Sequence, residues 1–244
     1  MSGTVVVTGG SRGIGAATAL LAAERGWQVA VSYRARPDAA EQVVRGCERA
    51  GGRAIAVQAD VADEADVRRL IDTVCEELGT PDALVNNAGI VGPLQRLEDF
   101  TAERVERVIA VNLTGTILCT RAAVRRMSLQ HGGRGGAIVN VSSRAAVLGA
   151  AGEYVDYAAA KAGVDALTVG LAQELAADGI RVNAVRPGLI DTEIQVPGRL
   201  ARLSGTTPLG RAGRAEEVAK AILWLLSGEA SYTTGALLDI GGGR

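Results

Sequence analysis

Lysine is nearly missing from this chain. Of the 26 Lys and Arg residues among 244, only Lys161 and Lys220 are lysines. Aromatic residues make up 3%, too few for a platform that stacks bases. Net charge is −1, so no basic field draws nucleic acid or an anionic membrane, and neither is expected as a partner. No apolar run reaches the roughly 18 residues of a membrane span. The N-terminus enters a strand-like run at once, so no signal peptide is expected. Cys47, Cys75 and Cys119 are odd in number and far apart. They fit neither a disulfide framework nor a metal cluster, and reduced buried thiols in a cytoplasmic protein are expected. The single histidine, His131, sits in polar "QHGGRGG" and reads as a loop residue.

Small apolar residues are abundant. Hydrophobic residues reach 48%, enough for a large core, and the length suits one α/β domain over residues 1–244. Strand-like runs at 4–8, 28–33, 54–59, 83–86, 137–142, 180–185 and 236–240 alternate with helical patterns, clearest at 64–78 and 155–178. Continuous apolar strands separated by helices predict a parallel sheet covered on both faces, hence a doubly wound, Rossmann-like fold. The least regular segment, 188–213, holds Pro197, Pro208 and several glycines. It reads as a lid over a site or as an ordinary surface connection.

The first strand runs into "TGGSRGIG". Gly9, Gly13 and Gly15 stand where backbone must approach a ligand, and the helix opening near Ile14 points its positive end at it. A pyrophosphate fits, although tight turns need glycine anyway and the spacing is G-x-x-x-G-x-G. Strand two ends in "VSYRAR", with no acid until Asp38 to meet a ribose 2′-hydroxyl. Arg34 takes that place, and Arg12 lies inside the glycine turn. Planar guanidinium groups suit a 2′-phosphate, so NADP(H) is favoured over NAD(H). Asp60, ending strand three, reads either as an acceptor for the adenine amino group or as the cap of the next helix.

The lysine at 161 has a chemical reading. Tyr157 and Lys161 lie four apart on a helix and share a face. A free tyrosine, with a pKa of about 10, is a poor base at neutral pH. A neighbouring cation favours the phenolate. A shift of about 3 units needs on the order of 4 kcal/mol of differential interaction. A compact ammonium can sit beneath the ring and donate to ribose hydroxyls, which a wide guanidinium cannot do as well. Upstream, "AIVNVSS" ends in Ser142 and Ser143, where doubly wound folds place ligands. A hydroxyl there can polarise a carbonyl. "NNAG" at 86–89 ends strand four, and Asn112 is polar within an apolar helical run. Capping, turn formation and helix back-bonding are the structural alternatives for these residues.

Taken in order, "TGGSRGIG", "NNAG", "VNLTG", serine before "YAAAK", and "RPGLIDT" cover most of the chain. The sequence resembles the classical short-chain dehydrogenase/reductase family over essentially its whole length. The resemblance implies a seven-stranded parallel sheet in the order 3-2-1-4-5-6-7. It implies that Tyr157 is the catalytic acid/base, that Lys161 lowers its pKa and binds the nicotinamide ribose, and that Ser143 orients the reacting oxygen. Asn112 would anchor a water in a relay through Lys161. Gly9, Ser11, Arg12, Gly13, Ile14, Gly15, Arg34, Asp60, Val61, Asn87, Ala88 and Gly89 would hold the cofactor. Pro187, Gly188 and Ile190 would line the nicotinamide pocket, and Thr192 would meet its carboxamide. No metal is implied. The family places its serine thirteen residues before the tyrosine; here Ser143 is fourteen before and Ser142 fifteen. Matching Gly149 to the family glycine favours Ser143. The extra residue then falls in "AAGEYVD", which puts Glu153 and Tyr154 at the pocket mouth.

These readings predict hydride transfer between nicotinamide and a small-molecule carbonyl or secondary alcohol. A 3-oxoacyl thioester, a sugar or a specialised metabolite would each fit as substrate. A non-catalytic dinucleotide sensor is the rival from another class. The resemblance also implies a homotetramer formed through helices near 101–127 and 155–178. Ala158, Ala162, Ala166 and Gly170 add a small-residue stripe that admits a neighbouring helix or packs on the chain's own sheet.

Overall fold

The computed structural model describes residues 3–194 and 198–244. Seven strands form one parallel sheet: β1 (Thr4–Val7), β2 (Gln28–Tyr33), β3 (Ala54–Gln58), β4 (Ala83–Asn86), β5 (Gly136–Val141), β6 (Ile180–Pro187) and β7 (Leu237–Ile240). Their order is β3-β2-β1-β4-β5-β6-β7, with every neighbouring pair parallel. The architecture is the expected Rossmann-like α/β fold.

Alternation along the strands explains the two layers. Val5 and Val7 pack into one core with Val29 and Val31, while Val6 packs into the other with Ala30, Leu84 and Ile138. A strand's successive side chains face opposite sides, so an all-apolar strand needs cover on both. Helices α1 (Gly13–Glu24), α2 (Pro37–Arg49) and α9 (Ala215–Leu226) cover the first face through Ala19, Ala22, Val43, Cys47, Val218 and Ile222. On the second face lie α3 (Glu64–Leu78), α5 (Gly115–Met127) and α7 (Val155–Glu174), through Leu70, Ile71, Cys119, Met127 and Ala172. Helix α4 (Ala102–Ile109) passes through a π-helical turn, Ala110–Thr114, directly into α5. By length and composition alone Ala102–Met127 could cross a membrane. Val111, Cys119, Ala123 and Met127 instead sit in the core against β4 and β5, which is the packing of an internal helix.

Two expectations are corrected here. Asp63, not Asp60, caps α3, accepting a hydrogen bond from Asp66 N at 2.9 Å. The stripe on α7 does not lie on the sheet as a whole. Ala158 is buried, but Ala162, Ala166 and Gly170 are exposed, and the sheet-facing side of α7 is Ala160, Lys161, Val164, Thr168 and Ala172. The helix ends at Glu174, with a 3-10 turn at Ala176–Asp178.

The described residues of the segment 188–213 are more regular than its composition implied. A two-stranded parallel ladder joins Ile190–Asp191 to Gly213–Arg214 and pins both ends. Between them lies α8 (Arg199–Leu203). Pro197 lies outside the described residues.

Candidate active site

Strand β1 pairs with β2 on one side and β4 on the other. The chain winds outward in both directions from this point, so the loops after β1 and β4 diverge and leave a crevice. A cleft of about 570 Å³ occupies it and runs on past the ends of β5 and β6.

One end is built from glycine. Gly9 has φ +61° and Gly13 φ +53°, the left-handed region that favours glycine. A Cβ at Gly9 would stand 2.9 Å from Ala88 Cα, and one at Gly13 would stand 3.3 Å from Thr192 Cγ2. A side chain is strained at both positions by the backbone conformation, and at Gly9 it would also press on the Ala88 backbone. Asn87 fixes the turn, donating from Nδ2 to Thr8 O at 2.9 Å and Gly9 O at 3.0 Å. The first turn of α1 carries no acidic residue, and its N-cap Arg12 makes no side-chain cap. First-turn amides lack helical partners and favour an anion. The cradle therefore fits a pyrophosphate. Ser11, Ile14, Asp60, Val61 and Gly89 line the same cleft. Gly15 lies under the turn, where a Cβ would meet Asn87 Nδ2 at 2.4 Å. Asp60 is held by Arg107, whose Nη2 donates at 2.6 Å, and burial opposes the arginine's lowering of its pKa.

Three arginines, Arg12, Arg34 and Arg36, line the cleft beyond β2. The sequence reading found the first two. It missed Arg36, although the doublet "RAR" carried the signal.

The other end holds the hydroxyl groups. The Ser143 hydroxyl lies beside the Tyr157 phenol, where it favours the phenolate. Ser142 points away: it is buried and donates to Lys161 O at 3.1 Å. Lys161 is also buried, and its ammonium donates to Val141 O at 2.7 Å, lying 5.6 Å from the centre of the Tyr157 ring. Asn112 and Lys161 converge on Gly89, where a Cβ would stand 2.8 Å from Asn112 Oδ1 and 3.6 Å from Lys161 Nζ. Asn112 is fully buried in the π turn, donating to Val108 O and Ile90 O at 2.9 Å each. Its bond to Val108 is the helix back-bond of the structural alternative. Accepting from Ile90 N at 3.2 Å, it also fixes the loop after "NNAG". Pro187, Gly188, Ile190 and Thr192 line the cleft opposite.

The charge balance differs from the expectation. Burial pushes the Tyr157 phenol up to about 12, and the neighbouring Ser143 hydroxyl works against this. Burial likewise lowers Lys161 to about 8, opposed by Asp165 one turn on. As the chain stands, desolvation outweighs the help that a nearby cation gives the phenolate.

The inserted segment follows the short helix α6 (Ala145–Leu148) and forms the mouth. Gly149, Ala150 and Gly152 have positive φ, and Ala150 is the non-glycine among them at +50°. Tyr154 meets Tyr157 edge-on, with ring centres 5.5 Å apart. Glu153 accepts from Arg199 at 2.8 Å and Arg202 at 3.2 Å, tying α8 to the mouth. Asp156 was also missed. It pairs with Arg104 through two bonds, of 2.9 and 3.2 Å, next to Tyr157. A partner 52 positions away leaves no local trace in the sequence.

A glycine cradle at the switch point and a serine–tyrosine–lysine group in the same cleft define an enzyme of the nicotinamide-dependent oxidoreductase class. A family profile described as enoyl-(acyl carrier protein) reductase matches residues 9–244. The chain is 53% identical over 243 residues to an uncharacterized oxidoreductase, YgfF, of Escherichia coli, covering 98% of each. It superimposes with TM-score 0.92 on a short-chain type dehydrogenase/reductase from Mycobacterium marinum, at 39% identity over 99% of this chain and 94% of that one. The same score relates it to a blue fluorescent protein from a metagenomic library in complex with NADPH, at 35% identity over 99% and 97%. The chain belongs to the short-chain dehydrogenase/reductase family.

Proposed function

We propose that this protein is an NADP(H)-dependent oxidoreductase that interconverts a carbonyl group and a secondary alcohol. The observation that carries the reading is the grouping of Ser143, Tyr157 and Lys161, its ammonium 5.6 Å from the tyrosine ring centre, in the cleft that Arg12, Arg34 and Arg36 line. The cofactor supplies or accepts hydride at the nicotinamide C4. Ser143 and Tyr157 hold the reacting oxygen between their hydroxyls. In reduction Tyr157 gives its proton to that oxygen as negative charge develops; in oxidation it takes the alcohol proton. Lys161 stabilises the resulting phenolate and offers N–H donors to ribose hydroxyls. Lys161, in a relay with water that Asn112 anchors, passes a proton from solvent back to the tyrosine. Gly9, Gly13 and the α1 amides hold the pyrophosphate, and the arginines hold a 2′-phosphate.

NADPH in complex with the metagenomic relative supports the cofactor choice. The unpaired thiols support a reducing, cytoplasmic location: burial pushes Cys47 up to about 11 and Cys119 to about 12, where neither reacts readily.

The test is a panel of ketones, oxoacyl thioesters and sugars, each assayed with NADPH and NADH. NADPH-preferring turnover on one class is expected. Tyr157→Phe then keeps NADPH binding and loses at least ~10²-fold in turnover. Ser143→Ala follows it, and Ser142→Ala is milder. A wild type that prefers NADH, or a Tyr157→Phe enzyme of near-normal turnover, removes the corresponding half of the proposal.

A further inference from the structure

Glu193 enters the cleft from the side of β6, two residues past the short ladder's Asp191. Its carboxylate accepts from Arg12 Nη1 at 3.4 Å and from Arg36 Nη1 at 3.2 Å. Arg12 belongs to the turn after β1, and Arg36 to the turn after β2. One carboxylate therefore reaches across the cleft to two guanidinium groups that come from the opposite side. Glu193 itself lines the cleft with them.

Carboxylates and phosphate oxygens recruit the same guanidinium N–H groups. A phosphate monoester brought to Arg12 and Arg36 meets donors already facing Glu193, and it meets the like charge of that side chain. We infer that Glu193 is a specificity-determining residue, which competes with the cofactor's 2′-phosphate for Arg12 and Arg36. The inference rests on the NADP(H) reading above. An unphosphorylated cofactor has no group to exchange with the carboxylate, so Glu193 narrows the preference that the arginines create.

The exposure of the groups sets the size of the effect. Glu193 is 57% exposed, Arg12 49% and Arg36 58%. Exposed ion pairs are weak and screened by salt, so the competition is worth a few-fold and not decades.

The experiment measures binding of 2′,5′-ADP and 5′-ADP by calorimetry, on the full chain and on Glu193→Gln. These probes carry no nicotinamide and report the adenosine end alone. At about 50 mM salt the variant is expected to bind 2′,5′-ADP roughly three- to fivefold more tightly. The gain shrinks near 0.5 M salt, and 5′-ADP changes less than about twofold. Glu193→Ala repeats the result without the amide. Unchanged 2′,5′-ADP affinity overturns the inference. Equal weakening of both probes also overturns it, because Glu193 would then be a clasp over any adenine nucleotide. A wild type that binds both probes alike overturns the NADP(H) reading itself, and this inference with it.

Discussion

Lys161 shows how one residue sets function against stability. Its ammonium is buried and, among the described residues, has one backbone acceptor, Val141 O. Burial holds its pKa at about 8, against 10.5 for the free side chain. Keeping it charged at pH 7 therefore costs on the order of 3 kcal/mol, at 1.36 kcal/mol per unit. Lys161→Met is expected to abolish turnover and yet stabilise the fold by ~1–3 kcal/mol, raising Tm by several degrees. The sign with pH follows from proton counts. Between pH 8 and 10.5 the unfolded lysine keeps a proton that the folded one has lost. Wild-type stability from this group therefore rises with pH across that window, and the gap to Lys161→Met narrows. Paired thermal melts at pH 7 and pH 9.5 check it; a gap that widens would show that burial does not penalise this charge. Tyr157, raised to about 12, works the other way only above pH 10, where the unfolded phenol ionises first.

At the scale of elements, the start of α7 depends on α4. Asp156 and Arg104 are almost wholly buried, with 3% and 9% of their side chains exposed. Arg104 also donates to Pro93 O at 2.8 Å and Gln95 Oε1 at 2.6 Å, and its guanidinium lies 3.5 Å from the centre of the Phe100 ring. The pair therefore binds α4, the loop after β4 and the first turn of α7, one residue before Tyr157. Asp156→Ala leaves a buried cation without its counterion, which typically costs ~3–5 kcal/mol. A urea melt is expected to show that loss, with reduced turnover in the fraction that folds. Asp156→Asn retains hydrogen bonding and loses less. A change below about 1 kcal/mol for the alanine variant would mean that the pair merely decorates the junction. The ladder of Ile190–Asp191 with Gly213–Arg214 acts similarly on the other wall, anchoring the segment that carries Thr192 and Glu193.

For the whole molecule, the outward face of α7 is small or apolar at Ala159, Ala162, Ala166, Val169 and Gly170, while α4 and α5 expose Val105 and Ile117 among charged residues. Val105, Ile117 and Val169 are 36–41% exposed, and no heavy atom lies within 4 Å of a Cβ built at Gly170. The α7 stripe, which another helix can approach closely, suits the homotetramer that the family resemblance implies. Tyr232, fully exposed, and Leu238 on β7 offer a second patch near the C-terminus. Sedimentation at micromolar concentration is expected to give a particle of four 25.0 kDa chains. Val169→Glu should shift it toward smaller species. A single species at one chain's mass would refute the assembly and leave the site chemistry untouched.

Much of this was legible in the sequence because it is periodic or local. Apolar runs of four to six residues between helical patterns determined the strands, and their two-sided burial determined a parallel sheet. "TGGSRGIG" placed the cradle because positive φ at Gly9 and Gly13 is a property of those residues themselves. Tyr157 and Lys161 shared a face because four residues make about one helical turn. Tertiary structure decided what distance along the chain conceals. Ser143 lies beside Tyr157, while Ser142 is taken up by Lys161 O one turn further along α7. Asp60 pairs with Arg107 and leaves the cap to Asp63. Asp156 meets Arg104 and Glu193 meets Arg12 and Arg36 only once the sheet order has brought their loops together. The charge balance of Tyr157 and Lys161 was decided there too: spacing made them neighbours, but burial, which no short motif records, fixed how much their charges cost.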